Sequence, residues 1–289
     1  MEKRILNDEA RKAFGGSYVQ LSEGTTRFIL EGPKNAPLIV MINGFSVPLY
    51  IWDNNIAALH RSGFQTLRYD LYGRGGSDRP QRTYNRALYL RQLQELLMHI
   101  HPSTVPIHLV AICMGSIIAT DFSLNNTHPV ASLTFIGPAG LPGAVPPGTD
   151  WLKTPLWGDL WMTLYGENRL MTSVDEHLFH LEHFPEYKTR YYDQMHYIGF
   201  KRALLSTIRN MPLDSMNDEY LRLSDTPFPK LMIWGEEDVI TPATQSEWFV
   251  NAFPDVHAWV IPDAGHVCNY EQAESVNTLL VDFINKTEC

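Results

Sequence analysis

Cys113 sits at the centre of Ala111-Ile112-Cys113-Met114-Gly115, between an apolar, β-branched run from Ile107 to Ile112 and a helix-like stretch from Met114 onward. A strand that turns sharply into a helix around one nucleophilic side chain is a nucleophile elbow. Strand and helix backbones nearly touch at such a bend, so small residues must flank it, and Ala111 and Gly115 are small. The chemistry on offer is covalent: a thiolate attacks an electrophile and the bond it forms is cleaved in a second step. A free cysteine titrates near about 8.5, and a helix N-terminus and an imidazole both favour its anion.

Such a nucleophile needs a base, a group that orients the base, and donors for a developing oxyanion. Pro262-Asp263-Ala264-Gly265-His266 follows an expected strand, so His266 can reach Cys113 from the carboxyl edge of a sheet, where open α/β sheets build their sites. Trp234-Gly235-Glu236-Glu237-Asp238 follows another strand. Asp238 can hold the imidazole, with Glu236 and Glu237 as its nearest rivals. The chain order nucleophile, acid, histidine is the order associated with this elbow. His177, His180 and His183 lack a complete set of metal ligands, and lid packing or solvent contact is expected of them. Arg74, Asp78 and Arg79 in DLYGRGGSDRP read as a charge network that fixes a loop, Asp70 as structural, and Cys268 as packing.

The elements that must position these residues follow from periodicity and breakers. Residues 17–31 suggest two edge strands with Glu23-Gly24 at the turn. Further strands are expected over Leu38–Ile42, Gln65–Tyr69, Ile107–Ile112, Ala131–Ile136, Lys230–Trp234 and His257–Ile261. Helices are expected over Tyr50–Arg61, stopping at Gly63, and over about residues 85–99 and 272–285. Strands alternating with helices imply a mostly parallel, doubly wound sheet. The stretch from Pro138 to Pro227 breaks this rhythm: GPAGLPGAVPPG leads into an aromatic segment with Trp151, Trp157, Trp161, Tyr191 and Tyr192, and helices are expected over Val174–Leu181 and Gly199–Asn210. Residues 138–227 therefore read as a helical lid inserted into a core formed by 1–137 and 228–289. Most of its aromatics are expected to be lid core. Trp157 and Trp161, with Asn43 and Ile112, are assigned to a substrate pocket.

Composition narrows the partners. The chain has 289 residues, 44% hydrophobic and 19% charged, as in ordinary globular enzymes, and a net charge of −9 argues against nucleic acid. No apolar run is long enough to span a membrane, and the charged start, MEKRILNDEARKAF, lacks the apolar region of a signal peptide. Three cysteines, 113, 268 and 289, make no disulfide framework and fit a reduced cytoplasm, which would make the sequons at Asn125 and Asn285 chance matches.

NGFSVP, RYDLYGRGGSDRP, the Cys113 elbow, WGEEDVITP and DAGHVCNYE together resemble the α/β-hydrolase superfamily, in its lid-bearing branch of esterases, lipases and C–C hydrolases. The resemblance implies that fold, with Cys113 as nucleophile, His266 as base, Asp238 as acid, and the main-chain N–H groups of Phe45 and Met114 as the oxyanion hole. The usual His-Gly of the oxyanion loop is Asn43-Gly44 here, and Asn43 keeps a structural hydrogen-bonding role. Cysteine replaces the usual serine, as in the similar dienelactone hydrolases and polyester synthases. Epoxide hydrolases and haloalkane dehalogenases of this fold need an elbow carboxylate, so Cys113 argues against both. The implied activity is hydrolysis of a small to medium, mostly apolar ester, thioester or lactone. The implied partner is a small-molecule acyl substrate, with no metal or organic cofactor, for a monomer or homodimer. Acyl transfer on the same triad and a catalytically silent ligand-binding scaffold are the alternatives.

Overall fold

The computed structural model describes residues 2–101, 105–125, 128–143 and 150–288, with only the backbone at 150 and 151. Residues 126 and 127 of the first sequon, residues 144–148 of the Pro/Gly-rich stretch, the Trp151 side chain and Cys289 lie outside the described residues.

Eight strands form one sheet among the described residues: β1 (Ser17–Leu21), β2 (Gly24–Glu31), β3 (Leu38–Ile42), β4 (Gln65–Tyr69), β5 (Ile107–Ile112), β6 (Val130–Ile136), β7 (Lys230–Gly235) and β8 (His257–Ile261). Their order is β1-β2-β4-β3-β5-β6-β7-β8, with β1 and β2 antiparallel and every pair from β4 to β8 parallel. The central strands are apolar on both faces because both faces are covered. Along β3, Val40 joins one core while Ile39 and Met41 join the other; along β5, Leu109 and Ala111 face one side while Val110 and Ile112 face the opposite side. Each buried Val, Leu, Ile or Met among them contributes about 1.5–3 kcal/mol relative to exposure.

The helices are α1 (Asp8–Phe14), α2 (Asp53–Arg61), α3 (Arg86–Ile100), α4 (Gly115–Asn125), α5 (Trp157–Leu164), α6 (Gly166–Val174), α7 (Pro185–Gln194), α8 (Phe200–Asn210), α9 (Asn217–Ser224), α10 (Ser246–Ala252), α11 (Cys268–Glu271) and α12 (Ala273–Glu288). Helix α3 begins where the Asn85 side chain accepts from the Leu88 N–H, an N-cap. The segment between β6 and β7 carries α5 to α9. Among the described residues no helix is long and apolar enough to cross a membrane.

Three expectations need correction. Strand β2 is internal, paired with β1 on one side and β4 on the other, so of these two strands only β1 lies at an edge. The helix over Tyr50–Arg61 is a 3₁₀ turn, Leu49–Trp52, leading into α2. The helix over Val174–Leu181 does not form: α6 ends at Val174 and turns follow. Val174, His177 and Leu178 are buried at helical spacing, which invited the helix reading. Tertiary bonds capture that backbone instead. The Phe179 and His180 N–H groups donate to Glu271, and the His177 carbonyl accepts from the Val267 N–H.

The loop after β4 wraps Asp70. Its carboxylate accepts from the Leu49 and Gly76 N–H groups and pairs with Arg27 at 3.0 Å. A Cβ on Gly75, at φ +47°, would lie 2.1 Å from Asp70 Oδ2, so only glycine closes this turn. Asp78 pairs with Arg11 at 2.5 Å. The expected charge network is otherwise corrected: among the described residues Arg74 and Arg79 form no ion pair. Arg74 donates to the carbonyls of Phe45 and Tyr72 and the hydroxyls of Tyr89 and Thr207, and Arg79 donates to the carbonyls of Ser77 and Gly75.

Candidate active site

Cys113 occupies the bend between β5 and α4 at φ +53°, a left-handed conformation that a residue with a Cβ adopts only under constraint. The constraint is visible in the main chain. The Cys113 N–H donates to the Ile136 carbonyl at 3.0 Å, and its carbonyl accepts from the Ser116 N–H, the Ser116 hydroxyl and the Ala139 N–H. Gly115 makes the bend possible: a Cβ there would lie 2.5 Å from the Ile42 carbonyl oxygen and 2.7 Å from that of Asn43. Gly44 on the facing loop approaches as closely, with room for a Cβ only 3.0 Å from Cys113 Cβ. The thiol is free and partly exposed.

His266 lies past β8 and is 5% exposed. Its Nδ1 donates to Asp238 Oδ2 at 2.8 Å. The other Asp238 oxygen accepts from the Ile240 and Thr241 N–H groups, both at 2.8 Å. The two loops are tied to each other, because the Glu236 and Glu237 N–H groups donate to the carbonyls of Ile261 and Ala264. The Glu236 and Glu237 side chains are exposed, whereas Asp238 is buried against the ring. Burial alone penalises the imidazolium, but the Asp238 carboxylate, hydrogen-bonded to the ring, and the charge of the Cys113 thiolate outweigh it and hold the His266 pKa well above its ordinary value.

Thr241 is the residue that sequence reasoning passed over. Its hydroxyl is 2.9 Å from Asp238 Oδ2, 3.0 Å from the Gly137 carbonyl and 3.1 Å from His266 Nδ1. Its place in WGEEDVITP, three residues past Asp238, was the available signal.

Phe45 and Met114 flank Cys113, and neither main-chain N–H donates to a protein acceptor among the described residues. Arg74 fixes the Phe45 peptide, with Nε donating to its carbonyl at 2.7 Å and the guanidinium lying over its ring.

A cavity of about 480 Å³ opens onto Cys113 and His266. Ile112 and Trp161 line it, with Met162, Leu170 and His177 contributed by the segment after β6. Two pocket assignments are corrected. Trp157, the first residue of α5, is 71% exposed and does not line the cavity, which the next turn of that helix reaches with Trp161 and Met162. Asn43 also does not line it. Its amide is consumed, Nδ2 donating to the Tyr69 carbonyl and Oδ1 accepting from the Trp52 indole. His177 is buried rather than solvent-facing, while His180 and His183 stack 5.2 Å apart in exposed turns. Cys268 is fully buried, and burial pushes its thiol far up, away from the thiolate.

Comparison with known proteins gives one family and many relatives. A sequence model described as "Alpha/beta hydrolase family" matches residues 39–279. "Epoxide hydrolase 3" of Xenopus tropicalis is 24% identical over 93% of this chain and 77% of its own length. The "2-hydroxy-6-oxononadienedioate/2-hydroxy-6-oxononatrienedioate hydrolase 2" of Pseudomonas putida is 26% identical over 87% of this chain and 88% of its own. The crystal structure of the enol-lactonase from Burkholderia xenovorans LB400 superposes with a TM-score of 0.79 at 20% identity, covering 93% of this chain and 100% of that one.

Proposed function

We propose that this chain, which belongs to the alpha/beta hydrolase family, hydrolyses a small to medium, largely apolar ester, thioester or lactone by covalent catalysis at Cys113. One observation carries the reading. Cys113, held at φ +53° on the strand-to-helix bend, and His266, bonded through Nδ1 to buried Asp238, line the same cavity.

The proposed sequence of steps uses each of these groups. The His266 nitrogen opposite Asp238 takes the Cys113 proton, and the thiolate attacks the acyl carbon. The carbonyl electron pair moves to oxygen, where the Phe45 and Met114 N–H groups receive it; one such donor is typically worth roughly 10²–10³ in rate. Collapse expels the alcohol or thiol, which takes the proton from His266, and leaves a thioester on Cys113. His266 then deprotonates water, which attacks the thioester, and the thiolate departs as the acid product is released. Asp238 holds the ring tautomer and stabilises the imidazolium throughout.

We read residues 138–227 as a lid, because this segment supplies Leu152, Trp161, Met162 and Leu170 to the cavity over Cys113. The names of two relatives, an enol-lactonase and a dienedioate hydrolase, support hydrolytic chemistry on acyl compounds. An elbow thiol gives no carboxylate for epoxide opening. A thiolate leaves a tetrahedral adduct more readily than an alkoxide, so activated donors are preferred over alkyl esters. The test is a matched thioester and alkyl ester assayed with the wild type, Cys113→Ala and His266→Ala. The reading expects faster thioester turnover and loss of both activities in the variants; undiminished hydrolysis in Cys113→Ala would overturn it.

A further inference from the structure

A second histidine faces the same cavity and the hydrolytic steps do not use it. His177 lines the cavity yet is only 7% exposed. The backbone pins it beside the His266 loop: its carbonyl accepts from the Val267 N–H at 2.9 Å, and a Cβ on Gly265 would lie 3.0 Å from that oxygen. The ring stands edge-on between Tyr187 and Tyr191, at 5.9 and 6.0 Å. Its Nδ1 is 3.1 Å from the Tyr187 hydroxyl. Its Nε2 has no protein partner among the described residues, and it is not among the polar atoms sealed away without one.

The tautomer follows from the tyrosine. Tyr187 is fully buried, and its hydroxyl meets no acceptor among the described residues other than His177 Nδ1. A buried O–H left without an acceptor costs about 1–3 kcal/mol, so Tyr187 donates to Nδ1 and the ring proton sits on Nε2. Burial and the neighbouring His266 push the His177 pKa down to about 3, which keeps the ring neutral at neutral pH. The result is an uncharged N–H donor facing a cavity whose wall also carries the Arg169–Glu176 pair and the hydroxyls of Ser46 and Ser173.

We propose that His177 Nε2–H is a specificity determinant that selects acyl substrates carrying an oxygen acceptor, such as a keto or enol oxygen, on the acyl chain a few bonds from the scissile carbonyl. This rests on the hydrolase reading and narrows its substrate class. A purely hydrocarbon acyl chain would leave the buried N–H unpaired.

The test compares two aryl esters of equal chain length, 4-nitrophenyl 4-oxopentanoate and 4-nitrophenyl pentanoate. Wild type is expected to favour the oxo ester in kcat/KM by roughly three- to tenfold beyond their ratio of alkaline hydrolysis rates, the scale of one neutral hydrogen bond. His177→Phe is expected to bring the ratio to the chemical background, and His177→Gln, which keeps an N–H donor, to restore part of it. A general loss of packing would lower both esters together and leave the ratio standing. Binding of the matched N-propyl amides to Cys113→Ala, followed by calorimetry, separates the two readings. No hydrolysis of either ester, with a His177-dependent preference for the oxo amide, would overturn the hydrolase reading alone. Equal handling of the pairs by wild type, or a preference that survives His177→Phe, would overturn the assignment of His177.

Discussion

Gly137 backs directly onto His266: at φ +46°, a Cβ on Gly137 would lie 3.2 Å from His266 Nδ1 and 3.0 Å from both Asp238 Oδ2 and Thr241 Oγ1. The glycine lies just past β6 and is held by its N–H to the Ile233 carbonyl at 2.8 Å. The close approach of acid and ring therefore depends on a missing side chain. Gly137→Ala is expected to destabilise the fold by about 1–3 kcal/mol through its positive φ. It should also lower kcat on the order of 10²-fold by displacing the ring. Urea unfolding and steady-state kinetics measure the two effects separately.

Asp238 is expected to act by orientation and charge. Asp238→Asn keeps the shape but lets the ring take the opposite tautomer, so kcat should fall by roughly 10²–10⁴ with little change in KM. Thr241→Val removes only a hydroxyl that donates to Asp238 Oδ2 or the Gly137 carbonyl beside the ring, and should cost about tenfold or less. Kinetics on one activated ester rank the pair, and a larger loss in Thr241→Val would reverse the assigned roles.

His177 also sets a pH response of the fold. Its pKa is about 3 folded against an ordinary 6.5, so the unfolded chain binds this proton more readily. Stability from this group is complete above 6.5 and is lost as pH falls toward 3, at up to ~1.4 kcal/mol per pH unit. His266 titrates with the opposite sign: its raised pKa adds stability that is complete below 6.5 and is lost as pH rises through the folded value. Chemical denaturation at pH 7 and pH 5 should show a smaller acid loss in His177→Phe than in wild type.

Arg74 links α8 to the loop that carries Phe45, through Thr207 at 3.1 Å and the Phe45 carbonyl at 2.7 Å. Lysine cannot make both contacts with one ammonium. Arg74→Lys is expected to lower kcat about tenfold at similar KM, a fraction of what losing an oxyanion donor costs. A change confined to KM would place its effect on substrate binding instead.

The strands were legible because burial on both faces demands apolar runs; Leu38–Ile42 and Ile107–Ile112 could be bounded to the residue. The elbow was legible because the bend tolerates only small neighbours, and Gly115 meets two carbonyl oxygens. The turn after Val174 was not, since its bonding partners, Glu271 and Val267, lie about ninety residues away. Trp157 and Trp161 show the same limit: both are tryptophans four residues apart on one helix, and only the packing of α5 decides which of them reaches the cavity. Thr241 escaped notice because a threonine after a turn carries no chemical signal until Asp238 and His266 are seen around it.

The most direct measurement of the central claim is acid-quench mass spectrometry of the intact protein during turnover of a slowly deacylated aryl ester, followed by peptide mapping. The account predicts a transient mass increase equal to one acyl group, located on the peptide containing Cys113, absent in Cys113→Ala and discharged by water in the wild type. Ester consumption without that adduct, or an acyl group mapped to any other residue, would contradict it.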